Sequence, residues 1–255
     1  MSLAFDKVIL FGDSITQYAY NQDIGFCFGP AMQNIYSRRF DVIQRGFGGY
    51  NSDHAVLMVD KIIEQEATPT SKIKLMVVFF GTNDSVIPEA TQHVPILRYK
   101  DNLRKIVRSA EQVGAKVVIV GTGPYNHHQW IIGRDEERAS ERTTLRAREY
   151  CDAAIEVAKE LNVAVVPMWY LVMADLGWKE GDPVHGLAEL PAENPLTSYV
   201  NDGLHYFGKA YLVEFENVMR VIKEWYPEVY PANVDLKLPS WDKLTSPDVL
   251  KAALE

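Results

Sequence analysis

The sequence predicts an α/β domain built on a parallel sheet, and three observations carry this. Short apolar runs alternate with longer segments whose apolar residues recur every three or four positions, the pattern of strand–helix–strand crossovers. The run Leu75-Met76-Val77-Val78-Phe79-Phe80 is continuously apolar, as suits a central parallel strand buried on both faces. Three of the runs stop at glycine-bearing turns: Gly12-Asp13-Ser14, Gly46-Phe47-Gly48-Gly49-Tyr50-Asn51 and Gly81-Thr82-Asn83-Asp84. In a parallel sheet every strand's carboxyl end lies on one edge, and ligands bind at that edge.

The elements follow in order. Residues 8–11, Val-Ile-Leu-Phe, form the first strand. A helix is expected over 30–39 and a short strand over 41–44. Ser52 is placed to cap a helix that carries Val56, Val59, Ile62 and Ile63 on one face. The third strand spans 73–80. A helix over 97–113 closes at Gly114, a glycine suited to the left-handed position past a helix end. The fourth strand, 116–120, ends at Gly121-Thr122-Gly123-Pro124. A long helix over 136–161 packs through Ala153, Ala154, Val157, Ala158 and Leu161. The fifth strand is 163–167. Residues 178–200 are irregular and rich in glycine and proline, and 201–205 lead into a helix over about 208–225.

After Tyr226 the pattern changes, because Pro227, Pro231 and Pro239 interrupt any long helix. Tyr230, Leu236, Leu238 and Trp241 make this tail too apolar for a disordered tag. The expectation is one domain over residues 1–255, with a core at about 6–226. The extension 227–255 then packs on the domain or at a homodimer contact.

Bulk properties narrow the function. The chain has 255 residues, 47% of them hydrophobic, enough for one large core. Its net charge is −8 and it has no Lys/Arg block, which argues against a nucleic-acid partner. No apolar stretch approaches the ~20 residues of a membrane helix, so no membrane insertion is expected. Residues 1–7 lack a signal-peptide layout, and a cytoplasmic protein is expected. Cys27 and Cys151 are the only cysteines. A single disulfide is conceivable, but two free buried thiols suit a reducing compartment better.

Acyl transfer needs a nucleophile, a base, a group that orients the base, and donors for the oxyanion. Ser14 at a strand end supplies a hydroxyl. Gly-Asp-Ser alone is also ordinary turn chemistry. His205 is the natural base, since imidazole changes charge near neutral pH. Asp202, three residues earlier, can accept from the far ring nitrogen, with Gly203 permitting the tight turn. The backbone N–H groups of Ser14 and Gly49 and the Asn83 amide are the candidate oxyanion donors. Asp13 and Asp84 are read as structural, the first forming the turn and the second bracing the loop that positions Asn83. Phe47, Tyr50, Val86 and Trp130 are candidate pocket walls, though each is more often plain packing.

Other readings have less support. His127-His128 has no partner at ligand spacing, so no metal site is expected, and His54, His93 and His185 stand alone. Gly121-Thr122-Gly123-Pro124 lacks the third glycine of a dinucleotide fingerprint. Ser14 lies in no G-x-S-x-G elbow.

These blocks also resemble a known family. Gly12-Asp13-Ser14-Ile15, Gly49, Gly81-Thr82-Asn83-Asp84 and Asp202-Gly203-Leu204-His205 are similar, in order and spacing, to the four blocks of the SGNH (GDSL-type) hydrolases. The resemblance spans residues 8 to about 225, and Ile15 replaces the Leu of the family's nickname. Leu10-Phe11-Gly12-Asp13-Ser14-Ile15-Thr16, Gln44-Arg45-Gly46-Phe47, Asn201-Asp202-Gly203-Leu204-His205 and Tyr226-Pro227 resemble the isoamyl acetate-hydrolysing subgroup. The resemblance implies a three-layer, flavodoxin-like fold of five parallel strands with helices on both faces. It implies a serine esterase acting on short acyl esters such as acetates. Ser14, Gly49, Asn83 and His205 would hold the roles above, with Asp202 as third triad member and no metal or organic cofactor. Carbohydrate O-deacetylase, thioesterase or acyltransferase activity would use the same chemistry. A non-catalytic binding domain on this fold is the reading from another class.

Overall fold

The computed structural model describes residues 3–135 and 140–254. Its centre is a five-stranded, all-parallel sheet in the order β2-β1-β3-β4-β5. The strands are β1 (Asp6–Gly12), β2 (Phe40–Gly46), β3 (Ile73–Phe79), β4 (Lys116–Gly121) and β5 (Ala164–Pro167). Each lies within two residues, at either end, of its expected bounds. Strand alternation divides the core. Val8 and Leu10 of β1 face one layer, and Ile9 and Phe11 face the other.

Helices cover both faces. On one side lie α2 (Phe28–Ile35), α7 (Met168–Asp175) and α8 (Gly208–Trp225). On the other lie α3 (Ser52–Glu66), α4 (Ile96–Gln112) and α6 (Thr144–Leu161). Short helices α1 (Ser14–Tyr18) and α5 (His127–Trp130) and the terminal α9 (Pro247–Leu254) complete the set described.

Several expectations need correction. α2 starts two residues early and stops at Ile35, because Arg38 turns left-handed at φ 64°. Asn51, not Ser52, caps α3. Its Oδ1 accepts from the His54 N–H at 3.2 Å, while His54 Nδ1 accepts from the Asn51 N–H at 3.1 Å. α6 begins at Thr144, where the Thr143 hydroxyl accepts from the Arg146 N–H. Residues 136–139 of the long helix expected there lie outside the described residues. Cys27 is half-buried rather than buried, whereas Cys151 is buried as expected; both are free thiols.

The tail lies against the amino-terminal edge of the sheet. Tyr36 Oη donates to the Val229 carbonyl at 2.9 Å, and Arg39 Nε to the Val234 carbonyl at 2.9 Å. The Lys237 N–H donates to the Arg38 carbonyl at 3.0 Å. Among the described residues no helix is long and apolar enough to cross a membrane.

Candidate active site

β1 delivers Ser14 to the carboxyl edge of the sheet. Asp13 caps α1 by accepting the Ile15 N–H at 2.9 Å. Ser14 is the first helical residue, so its own N–H has no acceptor within the helix. The neighbouring strand β2 runs into the loop 47–50. There the Gly48 N–H donates to Gln17 Oε1 at 2.7 Å and the Tyr50 N–H to the Phe47 carbonyl at 3.1 Å. The N–H between them, on Gly49, has no partner among the described residues. Gly49 takes φ +81°, a conformation that a side chain would strain. β3, on the other side of β1, leads to Asn83. These loops flank the β1/β3 boundary, where the strand order reverses and a crevice opens.

The candidate base, His205, and its candidate orienter, Asp202, arrive from a separate loop before α8. Asp202 Oδ1 accepts the N–H groups of Leu204 and His205 at 3.1 and 2.9 Å. That turn leaves Asp202 Oδ2 facing His205 Nδ1 at 3.0 Å. Gly203 makes it possible: its φ is +92°, and a Cβ there would lie 2.5 Å from the Asn126 carbonyl and the Trp130 nitrogen. His205 Nε2 is 2.9 Å from Ser14 Oγ. With Nδ1 donating to the carboxylate, Nε2 is left to accept the serine proton. The Tyr18 ring meets the imidazole edge-on at 5.1 Å.

Asp202 stays ionised in this setting. Burial pushes its carboxyl up, but the His205 ring and the backbone N–H groups outweigh this and hold it well below the usual range. A serine hydroxyl bonded to an imidazole that a carboxylate orients can lose its proton to that imidazole as it attacks a carbonyl.

Ser14, Gly49, Asn83 and His205 all line one cleft of about 550 Å³. Trp130 lines it too, whereas Phe47, Tyr50 and Val86 do not. Phe47 packs against Phe11, and Val86 is fully buried.

Residues 10–206, more than half of the chain, match the GDSL-like lipase/acylhydrolase family. The chain belongs to that family. It is a carboxylic ester hydrolase. It is 30% identical over 247 residues to the isoamyl acetate-hydrolyzing esterase of Saccharomyces cerevisiae, covering 93% of this chain and 94% of the relative. A Rattus norvegicus isoamyl acetate-hydrolyzing esterase 1 homolog is 29% identical, over 80% of this chain and 76% of its own. Among solved structures, an acetylxylan esterase from Geobacillus stearothermophilus shares the fold at TM-score 0.59 and 15% identity, over 87% of this chain and 96% of its own. The lipase/acylhydrolase of Enterococcus faecalis does so at TM-score 0.56 and 22% identity, over 92% and 100%.

Around this GDSL-type site sit charged groups that sequence reasoning missed. Arg134 Nη2 also donates to Asp202 Oδ2, at 3.0 Å, and its guanidinium stacks 3.6 Å from the Trp130 ring centre. Arg142 is only 6% exposed. It donates to the Thr82 carbonyl, to Asn83 Oδ1 at 3.1 Å and to Gln92 Oε1 at 3.3 Å. Burial pulls its pKa down to about 10, so it remains a cation at neutral pH. No local motif marks either arginine; only tertiary packing brings them in.

Three carboxyls are fully enclosed behind the site. Burial pushes Asp13 up to about 6, against the pull of the Ile15 N–H. It pushes Asp84 up to about 7, although the Ser52 hydroxyl and N–H draw it down. Asp84 accepts the Ser52 N–H at 3.0 Å and so ties the loop after β3 to the start of α3. The Asn83 amide itself is held by Arg142 and by the Tyr50 carbonyl, not by the Asp84 carboxylate. Glu214 of α8 is pushed up to about 8 by burial, with Asp13 adding to the effect. Among the described residues no group of three or more His, Cys, Asp or Glu is placed to hold a metal ion.

Proposed function

We propose that this family member is a serine esterase for short-chain carboxylic esters, acetate esters such as isoamyl acetate, working through Ser14, His205 and Asp202. The observation that carries the reading is the relay Ser14 Oγ–His205 Nε2 at 2.9 Å and His205 Nδ1–Asp202 Oδ2 at 3.0 Å, opening on the cleft with Gly49 and Asn83. The likeness to the yeast isoamyl acetate-hydrolyzing esterase over nearly the full length of both chains supports the substrate class. The hydrogen bonds of Val229, Val234 and Lys237 to Tyr36, Arg39 and Arg38, in the turn between α2 and β2, support one domain over the whole chain.

His205 takes the Ser14 proton as Oγ attacks the ester carbonyl. The Ser14 and Gly49 N–H groups and Asn83 Nδ2 receive the oxyanion. His205 then returns the proton to the departing alcohol, leaving an acyl-serine. Water, deprotonated by the same imidazole, releases the acid and restores the hydroxyl. Asp202 holds the imidazole in the required tautomer and offsets the charge it gains.

A second reading, removal of acetyl groups from sugars, is favoured by the polar groups Gln17, Gln92 and Glu141 beside Trp130 in the cleft. Steady-state assays on p-nitrophenyl acetate, isoamyl acetate and an acetylated sugar decide between the two. Ser14→Ala should lower kcat by about 10⁴-fold or more and abolish labelling by a fluorophosphonate. Full activity in Ser14→Ala would overturn the reading.

A further inference from the structure

The two donors assigned to Gly49 and Asn83 belong to loops 34 residues apart in sequence, yet one guanidinium ties them together. Arg142 Nη2 donates both to Asn83 Oδ1 at 3.1 Å and to Gln92 Oε1 at 3.3 Å. Each amide then uses its other end on the loop after β2. Asn83 Nδ2 donates to the Tyr50 carbonyl at 2.8 Å, and Gln92 Nε2 to the Gly49 carbonyl at 2.7 Å. Neither amide can flip. A reversed Asn83 would turn its NH₂ towards Arg142 and its oxygen towards the Tyr50 carbonyl, and a reversed Gln92 would make the same two errors.

The consequence at Gly49 is geometric. Its N–H belongs to the peptide unit that follows Gly48, whose own N–H is anchored on Gln17 Oε1. The Gly49 carbonyl is anchored on Gln92. The free N–H is thus pinned from both sides at a glycine, whose missing side chain would otherwise leave the backbone loose there. At Asn83, a cation bonded to the amide oxygen draws electron density from the amide and makes the Nδ2–H groups stronger donors.

The geometry points to Arg142 and Gln92 as positioning residues that set the Gly49 and Asn83 donors as one coupled unit, so that the oxyanion hole is preorganised before substrate arrives. This inference rests on the reading of Ser14 as nucleophile and of those two groups as oxyanion donors. Neither positioning residue needs to touch the reacting atoms. Preorganised donors act on the transition state more than on the bound ester, so their disturbance falls on kcat rather than KM.

The test uses the full chain with p-nitrophenyl acetate. A trifluoromethyl ketone, whose adduct with a serine carries an oxyanion, gives a second readout. Gln92→Glu keeps an acceptor for Arg142 and nearly the same shape, but replaces the donor to the Gly49 carbonyl with an oxygen. It should fold as the parent does, lower kcat by about tenfold, weaken the ketone similarly, and leave KM within about twofold. Arg142→Met should lower kcat by about a hundredfold in the parent but by less than about threefold in an Asn83→Ala background, since most of its effect passes through Asn83. Should Arg142→Met fail to fold, Gln92→Glu alone decides. Parent-like kcat and ketone affinity in Gln92→Glu would overturn the inference, as would fully additive losses in Arg142→Met/Asn83→Ala. Ser14→Ala separates the two levels. If it retains activity, the nucleophile reading fails. If it is dead while Gln92→Glu behaves as the parent, only the coupling fails.

Discussion

Glu214→Gln should change how stability depends on pH, by an amount the structure allows to be worked out. Glu214 is 3% exposed in the core between α8 and the sheet, and its Oε2 has no hydrogen-bond partner among the described residues. Burial raises its pKa from an ordinary 4.5 to about 8. The folded chain therefore keeps the proton over a range in which the unfolded chain has released it. A carboxyl raised in this way contributes stability that is fully present below about 4.5 and is lost as pH rises towards about 8. Each pH step in that window costs about 1.4 kcal/mol, so the ceiling is about 5 kcal/mol. Relaxation and water entry around a carboxylate that is forced to ionise bring the expected value to about 2–3 kcal/mol.

The amide introduced by Glu214→Gln would stay neutral throughout. The assay is equilibrium urea unfolding of parent and variant at half-unit steps from pH 5 to pH 9. Asp13 and Asp84, raised to about 6 and about 7, give both curves a common downward slope, so the variant-minus-parent difference is the quantity to follow. It should grow in the variant's favour by about 2–3 kcal/mol between the two ends. Any constant offset reflects the fit of the amide and is not diagnostic. Parallel curves would refute the reasoning, because they would mean that Glu214 ionises as easily folded as unfolded.

Three further outcomes are expected. Asp202→Asn should still fold but melt below the parent, since it loses a carboxylate that the folded state holds ionised, and lower kcat by about 10⁴-fold through loss of the correct imidazole tautomer; near-parent turnover would refute the role. Gly203→Ala should destabilise by about 2–4 kcal/mol, since it imposes a side chain at φ +92° and a contact of 2.5 Å with two backbone atoms. Thermal melts check the stability and p-nitrophenyl acetate turnover checks the accompanying loss of activity. Asn51→Ala should cost about 1 kcal/mol in urea unfolding, because the His54 N–H at the start of α3 loses its cap.

The strands were legible because burial on both faces leaves long unbroken apolar runs, and β3 is the plainest case. The helix α7 was not. Met168, Trp169, Val172 and Met173 are buried and Tyr170 and Leu171 partly so, so the helix has no polar face and no period to read. The start of α3 was misplaced by one residue because Asn51 and Ser52 are both good caps. Tertiary context decided between them: Asp84 claims the Ser52 N–H, and His54 answers Asn51. In the candidate site, Ser14, Gly49, Asn83, Asp202 and His205 could be singled out because each sits in a short block at a strand end or helix start, where spacing carries information. Arg134, Arg142 and Gln92 sit among charged and polar neighbours and look like solvated surface. Only the folded chain shows Arg142 buried, with Nη1 on the Thr82 carbonyl and Nη2 on two side-chain amides.

This division of labour has a physical reason. The proposed nucleophile and oxyanion donors ride on β1, β2 and β3, three adjacent strands whose relative positions the ladder fixes. The proposed base and its orienter come from a loop that no strand carries. That loop must be docked, and the docking is done by Gly203 against Asn126 and Trp130, by the Asn126 N–H donating to the Gly203 carbonyl at 2.8 Å, and by Arg134 on Asp202. Segment 126–134 is thus the support for the imidazole, whereas Arg142 and Gln92 hold the loops of the proposed oxyanion donors. Loosening the first support should tilt His205 and slow proton transfer while leaving Gly49 and Asn83 in place. Loosening the second should weaken binding of an oxyanion while leaving Ser14 as readily deprotonated as before. The two halves of the site meet at Ser14, whose hydroxyl faces His205, and at Trp130, whose ring centre lies 3.6 Å from the Arg134 guanidinium and 5.1 Å from that of Arg142.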